Sequence, residues 1–306
     1  MSYYLGIDTS NYTTSCAIYD SEKDEVTQLK KLLPVKEGEL GLRQSDAVFH
    51  HTVQLPQLLT DLFADFYGNI SAVGVSEVPV RAEGSYMPCF LAGVSAATAV
   101  ASVGKKNLYK YSHQQGHLMA ALYSAGKRDL YGKEFLAFHV SGGTTQLLYV
   151  KGDLETELIA SSLDLKAGQA VDRAGVMLGF PFPAGRYVDE TACLSDKKYK
   201  INLKLNNGNC NLSGVENKCK QMFANGEKKE DICRFCIDYI IAALEKMTEF
   251  AIEKYGKLPL VFSGGVMSNS IIRAYFTEKY GAYFAEPVYS SDNAAGIAIL
   301  ASMERF

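Results

Sequence analysis

Two similar α/β lobes with a cleft between them are the fold this sequence predicts, and three observations carry that prediction. A triplet of strand-like runs followed by a helix and a further strand occurs twice along the 306 residues. The phrase Val140-Ser141-Gly142-Gly143-Thr144 returns later as Phe262-Ser263-Gly264-Gly265-Val266, each time at the end of an apolar run. A third turn of related character is expected at Tyr3-Tyr4-Leu5-Gly6-Ile7-Asp8-Thr9-Ser10. A glycine pair where a strand ends lets bare N–H groups approach an anion, because no Cβ stands in the way. One such pair is most often an ordinary turn; three in one chain favour a nucleotide held at several strand ends.

Periodicity places strands at 3–8, 15–19 and 28–33, a helix at 46–66 and a strand at 72–76. The apolar stretch 87–103 reads as a buried helix, and 107–111 as a short strand. The plan then repeats: strands at 135–140, 145–150 and 157–160, followed by helices at 167–178 and 185–193. After an irregular polar stretch at 202–211, helices are expected at 215–225 and 230–255. The chain closes with strand 258–262, helix 267–278, strand 283–285 and an Ala/Gly-rich helix at 292–303. The helix expected after the second glycine pair adds a dipole favourable to phosphate.

Composition bounds the class. With 47% hydrophobic and 21% charged residues, the chain is ordinary globular protein, and its length suits two lobes better than one core. No window approaches about 18 unbroken apolar residues, so no membrane span is expected. The N-terminus has no basic lead-in and reads as no signal peptide, which makes the cytosol the expected compartment. Seven cysteines suggest no paired framework. Cys233 and Cys236 have metal-like spacing but fall inside the long helix, so buried thiols are the simpler reading beside a zinc site shared with Cys210 and Cys219. A formal charge of −3 argues against a nucleic-acid-coated surface. Lys197, Lys198, Lys200 and Lys204, followed by Lys218, Lys220, Lys228 and Lys229, are either a solvated face or a local hint of a polyanion partner.

Two of the five histidines sit in His113-Gln114-Gln115-Gly116-His117. On a helix, positions four apart face the same way, which suits two imidazoles on one metal. Gln114 stands where a zinc protease carries its general-base Glu, so peptide cleavage is not expected. Taken alone, the pair is as readily two surface histidines. An oxygen ligand would change that, and Asp292 in Ser290-Ser291-Asp292-Asn293 is the candidate. Two histidines and a carboxylate suit iron, zinc or manganese with open positions. Gly168 would let a ribose or base approach the backbone, and Asp172 would accept from ribose hydroxyls; by themselves, Asp172, Arg173 and Lys166 read as a surface salt-bridge set.

The motifs, taken in order, resemble one family. Gly6-Ile7-Asp8-Thr9-Ser10, His113 and His117, Val140-Ser141-Gly142-Gly143, Ala167-Gly168, Leu178-Gly179-Phe180-Pro181, Leu212-Ser213-Gly214, Ser263-Gly264-Gly265-Val266 with Asn269, and Ser291-Asp292-Asn293-Ala294 span nearly the whole chain. They are similar to the TsaD family, the tRNA threonylcarbamoyladenosine synthase subunit formerly described as an O-sialoglycoprotein endopeptidase. The resemblance implies the two-lobed, actin-like ATPase (ASKHA) fold of actin, sugar kinases and Hsp70, with duplicated ribonuclease-H-like lobes around a central cleft. One lobe would be 1–127 with 286–306, the other 128–285. It implies transfer of threonylcarbamoyl from an adenylate to the exocyclic amine of adenosine 37 in tRNA, an acyltransferase reaction. It also implies one divalent metal, iron or zinc with manganese or magnesium as further options, on His113, His117 and Asp292. ATP or threonylcarbamoyl-AMP would be held by Ser141, Gly142, Gly143, Gly168, Asp172, Gly185, Gly264, Gly265 and Asn269. A small ATPase and a paralogous dimerising subunit are the implied partners.

The departures point to a divergent paralogue. Where the family carries Thr-Ser-Cys-Asp, an acid and Thr, this chain has Thr9-Ser10-Asn11-Tyr12-Thr13-Thr14, leaving Asp8 and Thr13 as the catalytic candidates. Gln169 replaces a ribose-contacting acid, Thr144 replaces a histidine, and Arg81-Ala82-Glu83-Gly84-Ser85 replaces a Gly-Pro-Gly turn. The alternative function is a non-catalytic nucleotide-binding scaffold that shapes a partner enzyme. A sugar kinase would leave the histidine pair without purpose.

Overall fold

In the computed structural model, residues 2–10, 12–34 and 42–304 are described. The chain forms two compact units, Met1–Arg128 with Val288–Phe306, and Asp129–Pro287. In the first, β1 (Tyr3–Ser10), β2 (Thr13–Asp20) and β3 (Glu25–Leu32) form an antiparallel meander. Helix α1 (Gln44–Phe63) leads to β4 (Ile70–Val78), parallel to β1, and α2 (Phe90–Gly104) to β5 (Asn107–Ser112), parallel to β4. Helix α3 (His113–Ser124) follows. The strand order is β3-β2-β1-β4-β5.

The second unit repeats this order in β6 (Phe135–Val140), β7 (Thr145–Lys151), β8 (Glu155–Ser161), β9 (Leu260–Ser263) and β10 (Tyr283–Phe284), arranged β8-β7-β6-β9-β10. Between β8 and β9 lie α4 (Ala167–Met177), α5 (Gly185–Ala192), α6 (Ser213–Ala224) and α7 (Lys229–Tyr255); α8 (Ser270–Tyr280) joins β9 to β10. The same mixed order in both units is the duplicated ribonuclease-H-like arrangement of the actin-like ATPases. Phe138, Phe262 and Phe284 stack across β6, β9 and β10 with centroids 4.8 Å apart, so one aromatic ladder anchors the parallel pairs.

Three expectations need correction, and a helix stands where the periodicity places none. The third glycine turn does not exist, because β1 continues to Ser10 and Gly6 lies inside it. The helix expected from 267 is broken: a 3-10 turn spans Gly265–Ser268, and α8 begins only after Asn269, whose side chain accepts from Ile272 N–H at 3.0 Å. The last helix, α9 (Ala295–Met303), starts after Asp292, since Asn293 Oδ1 accepts from Ala295 N–H and holds the preceding loop open. Finally, residues 113–124 are a full helix of their own. Ser112 accepts from Gln115 N–H at 3.2 Å while Gln115 Oε1 accepts from Ser112 N–H at 2.9 Å, a reciprocal cap.

Helix α9 is apolar all round, with Ala295 to Ala301 buried. It lies against strands and helix through small residues. A Cβ on Gly6 would come within 2.5 Å of the Ala294 carbonyl oxygen, and one on Gly296 would fall on the Gly116 carbonyl oxygen of α3. A Cβ on Gly116 would meet only the flexible end of Ile297. We therefore expect Gly296→Ala to lower unfolding stability by about 1–3 kcal/mol and Gly116→Ala to cost clearly less, as read from urea denaturation midpoints.

Candidate metal centre and glycine turns

The α9 contact brings Asp292, near the C-terminus, onto the histidine pair in the middle of the chain. Asp292 Oδ1 lies 3.2 Å from His117 Nε2 and 3.6 Å from His113 Nε2, and the two rings are 4.3 Å apart. An ion held at about 2.0–2.2 Å draws its ligand atoms to roughly 3–3.5 Å from one another, so this donor set fits a single divalent cation. Among the described residues this is the one group of three metal-binding side chains whose ligand atoms all lie within 4.8 Å of each other. The side chains remain 19%, 16% and 31% exposed, which leaves a face for an exogenous ligand.

Asp8 and Thr13, the catalytic candidates, sit behind the triad. Asp8 is fully buried; its Oδ2 is 2.8 Å from His113 Nδ1, and its Oδ1 accepts from Ser10 N–H at 2.9 Å. That bond holds a proton on His113 Nδ1 and leaves Nε2 facing Asp292, where it donates to the carboxylate when the ring is charged and offers a lone pair when it is neutral. Thr13 Oγ1 donates to Asp292 Oδ2 at 3.2 Å. Both residues contact members of the triad and fix their orientation. Asn11, one of the departures from the family pattern, lies outside the described residues.

Two carboxylates facing two imidazoles leave the cluster short of positive charge. Burial disfavours a charged His113, but Asp8 and Asp292 outweigh it and hold the ring pKa at about 10 without metal. Burial likewise opposes ionised Asp292, yet the hydrogen bonds from His113 and His117 keep it well below the usual carboxylate range. The site therefore holds a proton until a metal displaces it.

The second unit contains the glycine turns. Ser141 and Thr144 close the first: Ser141 N–H donates to the Thr144 carbonyl at 2.8 Å, and Thr144 N–H to Ser141 Oγ at 3.2 Å. The N–H groups of Gly142 and Gly143 have no partner among the described residues, and a Cβ on either would meet nothing within 4 Å. The same open space surrounds Gly185 and Gly265.

Three other glycine and side-chain expectations fare differently. Gly168 is small because the Ser141–Gly142 backbone presses on it: a Cβ there would come within 2.7 Å of Gly142 N. Gly264 has φ +99° and abuts the Val140 carbonyl, so it is glycine for chain geometry. Asn269 spends its carbonyl on the α8 cap. Asp172 Oδ1 accepts from Ala184 N–H at 2.8 Å, leaving Oδ2 without a partner among the described residues. The expected salt-bridge set does not form, since Arg173 pairs with Glu216 at 2.7 Å and Lys166 donates to the Ser162 carbonyl. Cys233, Cys236, Cys219 and Cys210 are buried, and burial pushes the Cys233 thiol up to about 12.

The model of the TsaD family, tRNA N6-adenosine threonylcarbamoyltransferase, matches residues 36–299. The chain belongs to this family. The tRNA N6-adenosine threonylcarbamoyltransferase of Streptococcus agalactiae serotype III (strain NEM316) is 27% identical over 319 aligned residues, covering 99% of this chain and 92% of that one. Its namesake from Neisseria gonorrhoeae (strain ATCC 700825 / FA 1090) is 28% identical, covering 98% and 92%. Among solved structures, component A of (R)-2-hydroxyglutaryl-CoA dehydratase from Acidaminococcus fermentans superposes with a TM-score of 0.58 at 15% identity over 98% of both chains, a likeness of fold.

Within the TsaD frame, the departures have structural substitutes. Gln169 Oε1 accepts from Lys166 N–H at 3.2 Å and so helps cap α4, and Thr144 closes the Ser141 turn.

Two outcomes are expected. Asp8→Asn presents an amide to His113 and unsettles its tautomer, so divalent metal affinity falls about 10–100-fold, while His117→Ala loses stoichiometric metal; titration calorimetry distinguishes them. Because the folded His113 pKa lies above its unfolded value near 6.5, its contribution to metal-free stability is fully present below pH 6.5 and is lost as pH rises toward 10. Metal uptake should release one proton, and apparent affinity should rise about tenfold per pH unit across that window.

Proposed function

We propose that this protein transfers a threonylcarbamoyl group from an acyl-adenylate to the exocyclic amine of adenosine 37 in tRNA. The amine nitrogen forms a bond to the carbamoyl carbon, the bond to the phosphate oxygen of AMP breaks, and the amine loses a proton. The observation that carries this reading is the convergence of His113, His117 and Asp292 from distant parts of the chain. His113, with its Nδ1 proton held by Asp8, His117 and Asp292 would hold a divalent cation, with iron, zinc or manganese best matched to the donors and magnesium less so. Bound there, it would supply positive charge for a phosphate or carbamoyl oxygen.

The partnerless N–H groups of Gly142 and Gly143 would bind phosphate oxygens, joined by backbone at Gly265 and Gly185, and Asp172 Oδ2 would accept from a ribose hydroxyl. Ser141 shapes its turn, Gly168 and Gly264 pack the turns together, and Asn269 caps the adjacent helix. Work in the cytosol beside a small ATPase and a paralogous dimerising subunit belongs to the same proposal. Among the described residues, no helix is long and apolar enough to cross a membrane.

A second reading, a non-catalytic nucleotide-binding scaffold, is favoured by Thr13, which stands where the family has an acid and spends its hydroxyl on Asp292. Mass spectrometry of tRNA nucleosides from a strain lacking its own transferase separates the two. Expression of this chain should restore threonylcarbamoyladenosine, and His113→Ala should abolish the rescue. Metal and nucleotide binding without rescue would favour the scaffold.

A further inference from the structure

Residues 199–205 carry no regular secondary structure, yet their burial alternates with strand-like period two. Tyr199, Ile201, Leu203 and Leu205 turn inward and pack against the core of the second unit. Lys200, Asn202, Lys204 and Asn206 turn outward and are exposed, and exposed Lys198 precedes them. The run is pinned to α7 at both ends. Tyr199 N–H donates to Asp238 Oδ2 at 2.8 Å, its ring meets Phe235 edge-on at 5.3 Å, and Gly208 lies against Phe250.

Such a strip would ordinarily pair in a sheet, but the backbone N–H and C=O groups of residues 200–205 form no hydrogen bond with the described residues. Lys198, Lys200 and Lys204 likewise have no ion pair among them. The neighbouring lysines are already neutralised: Lys197 pairs with Asp231 at 2.7 Å and Lys228 with Glu230 at 3.9 Å. Asp196 and Glu227 are the nearby acids without an ion pair.

We propose that this extended strip is a docking surface for the phosphate backbone of RNA, which deepens the tRNA reading and rests on it. Three ammonium groups without an ion pair project from the exposed face, alongside an unpaired backbone edge, with Lys198 and Lys200 one two-residue step of about 6.6 Å apart. Unbonded N–H groups beside them can donate to phosphate oxygens, and unbonded carbonyls can accept from 2′-hydroxyls. The net charge of −3 makes this row a local exception, as a positioning contact requires. A protein strand adding to the same edge would use the backbone but leave the lysines without a role.

The test is the salt dependence of tRNA affinity, measured by fluorescence anisotropy on the full chain with an unmodified tRNA transcript between roughly 50 and 200 mM salt. The triple variant Lys198→Gln/Lys200→Gln/Lys204→Gln should flatten the slope of log affinity against log salt by about 2–3. The control Lys246→Gln/Lys254→Gln, in which both lysines are ion-paired, should leave it unchanged. Far-UV circular dichroism and urea denaturation midpoints should remain at the wild-type level in both, which establishes that the variants are folded. An unaltered slope in the triple variant, or a wild type without tRNA affinity, overturns the strip. Restored tRNA modification in cells with an unaltered slope overturns the strip alone. A flattened slope without modification overturns the transferase reading alone.

Discussion

The backbone contact between α3 and α9 is the constraint on which the metal centre depends. Gly296 allows α9 to lie directly on the Gly116 carbonyl, while Gly6 on β1 accepts the turn that precedes the helix. A contact made by backbone rather than by long side chains has little room to slide. The loop before α9 is therefore held to a small tolerance, and Asp292 arrives within 3.2 Å of His117 Nε2. The reciprocal cap at Ser112 and Gln115 does the same for the other partner, since it sets the first turn of α3 and with it the facing of His113 and His117.

Electrostatics makes that geometry purposeful. Asp8 is wholly buried, and a buried carboxylate is costly unless something positive answers it. His113 answers through Nδ1, and its other nitrogen then faces a second carboxylate. A divalent cation bound there would compete with a proton for one place, which would link metal loading to pH.

Glycine plays two separate roles. Gly6, Gly168, Gly264 and Gly296 are small because protein backbone presses on them. Gly142, Gly143, Gly185 and Gly265 have empty space where a side chain would be, and the N–H groups of Gly142 and Gly143 lack partners. The motif phrases by themselves do not separate the second set from the first.

Much was legible in the chain alone. Strand and helix positions followed from periodicity because burial imposes periods of 2 and 3.6 on side chains. The family followed from ordered motifs, and Asp292 was recognisable as the oxygen partner of the histidine pair. Other features depended on contacts between distant residues. Asp8 reads as a catalytic candidate in the sequence, and only the fold places it against His113 Nδ1. Gly6 reads as a turn until β1 is seen to run through it, and the packing of Gly168 against Gly142 is visible only in the fold. Sequence thus determined the local conformations and the chemical inventory, because these depend on neighbours a few residues away. Tertiary structure decided which glycines stand in open space and which carboxylates meet the histidine pair, because that depends on backbone brought together from remote segments.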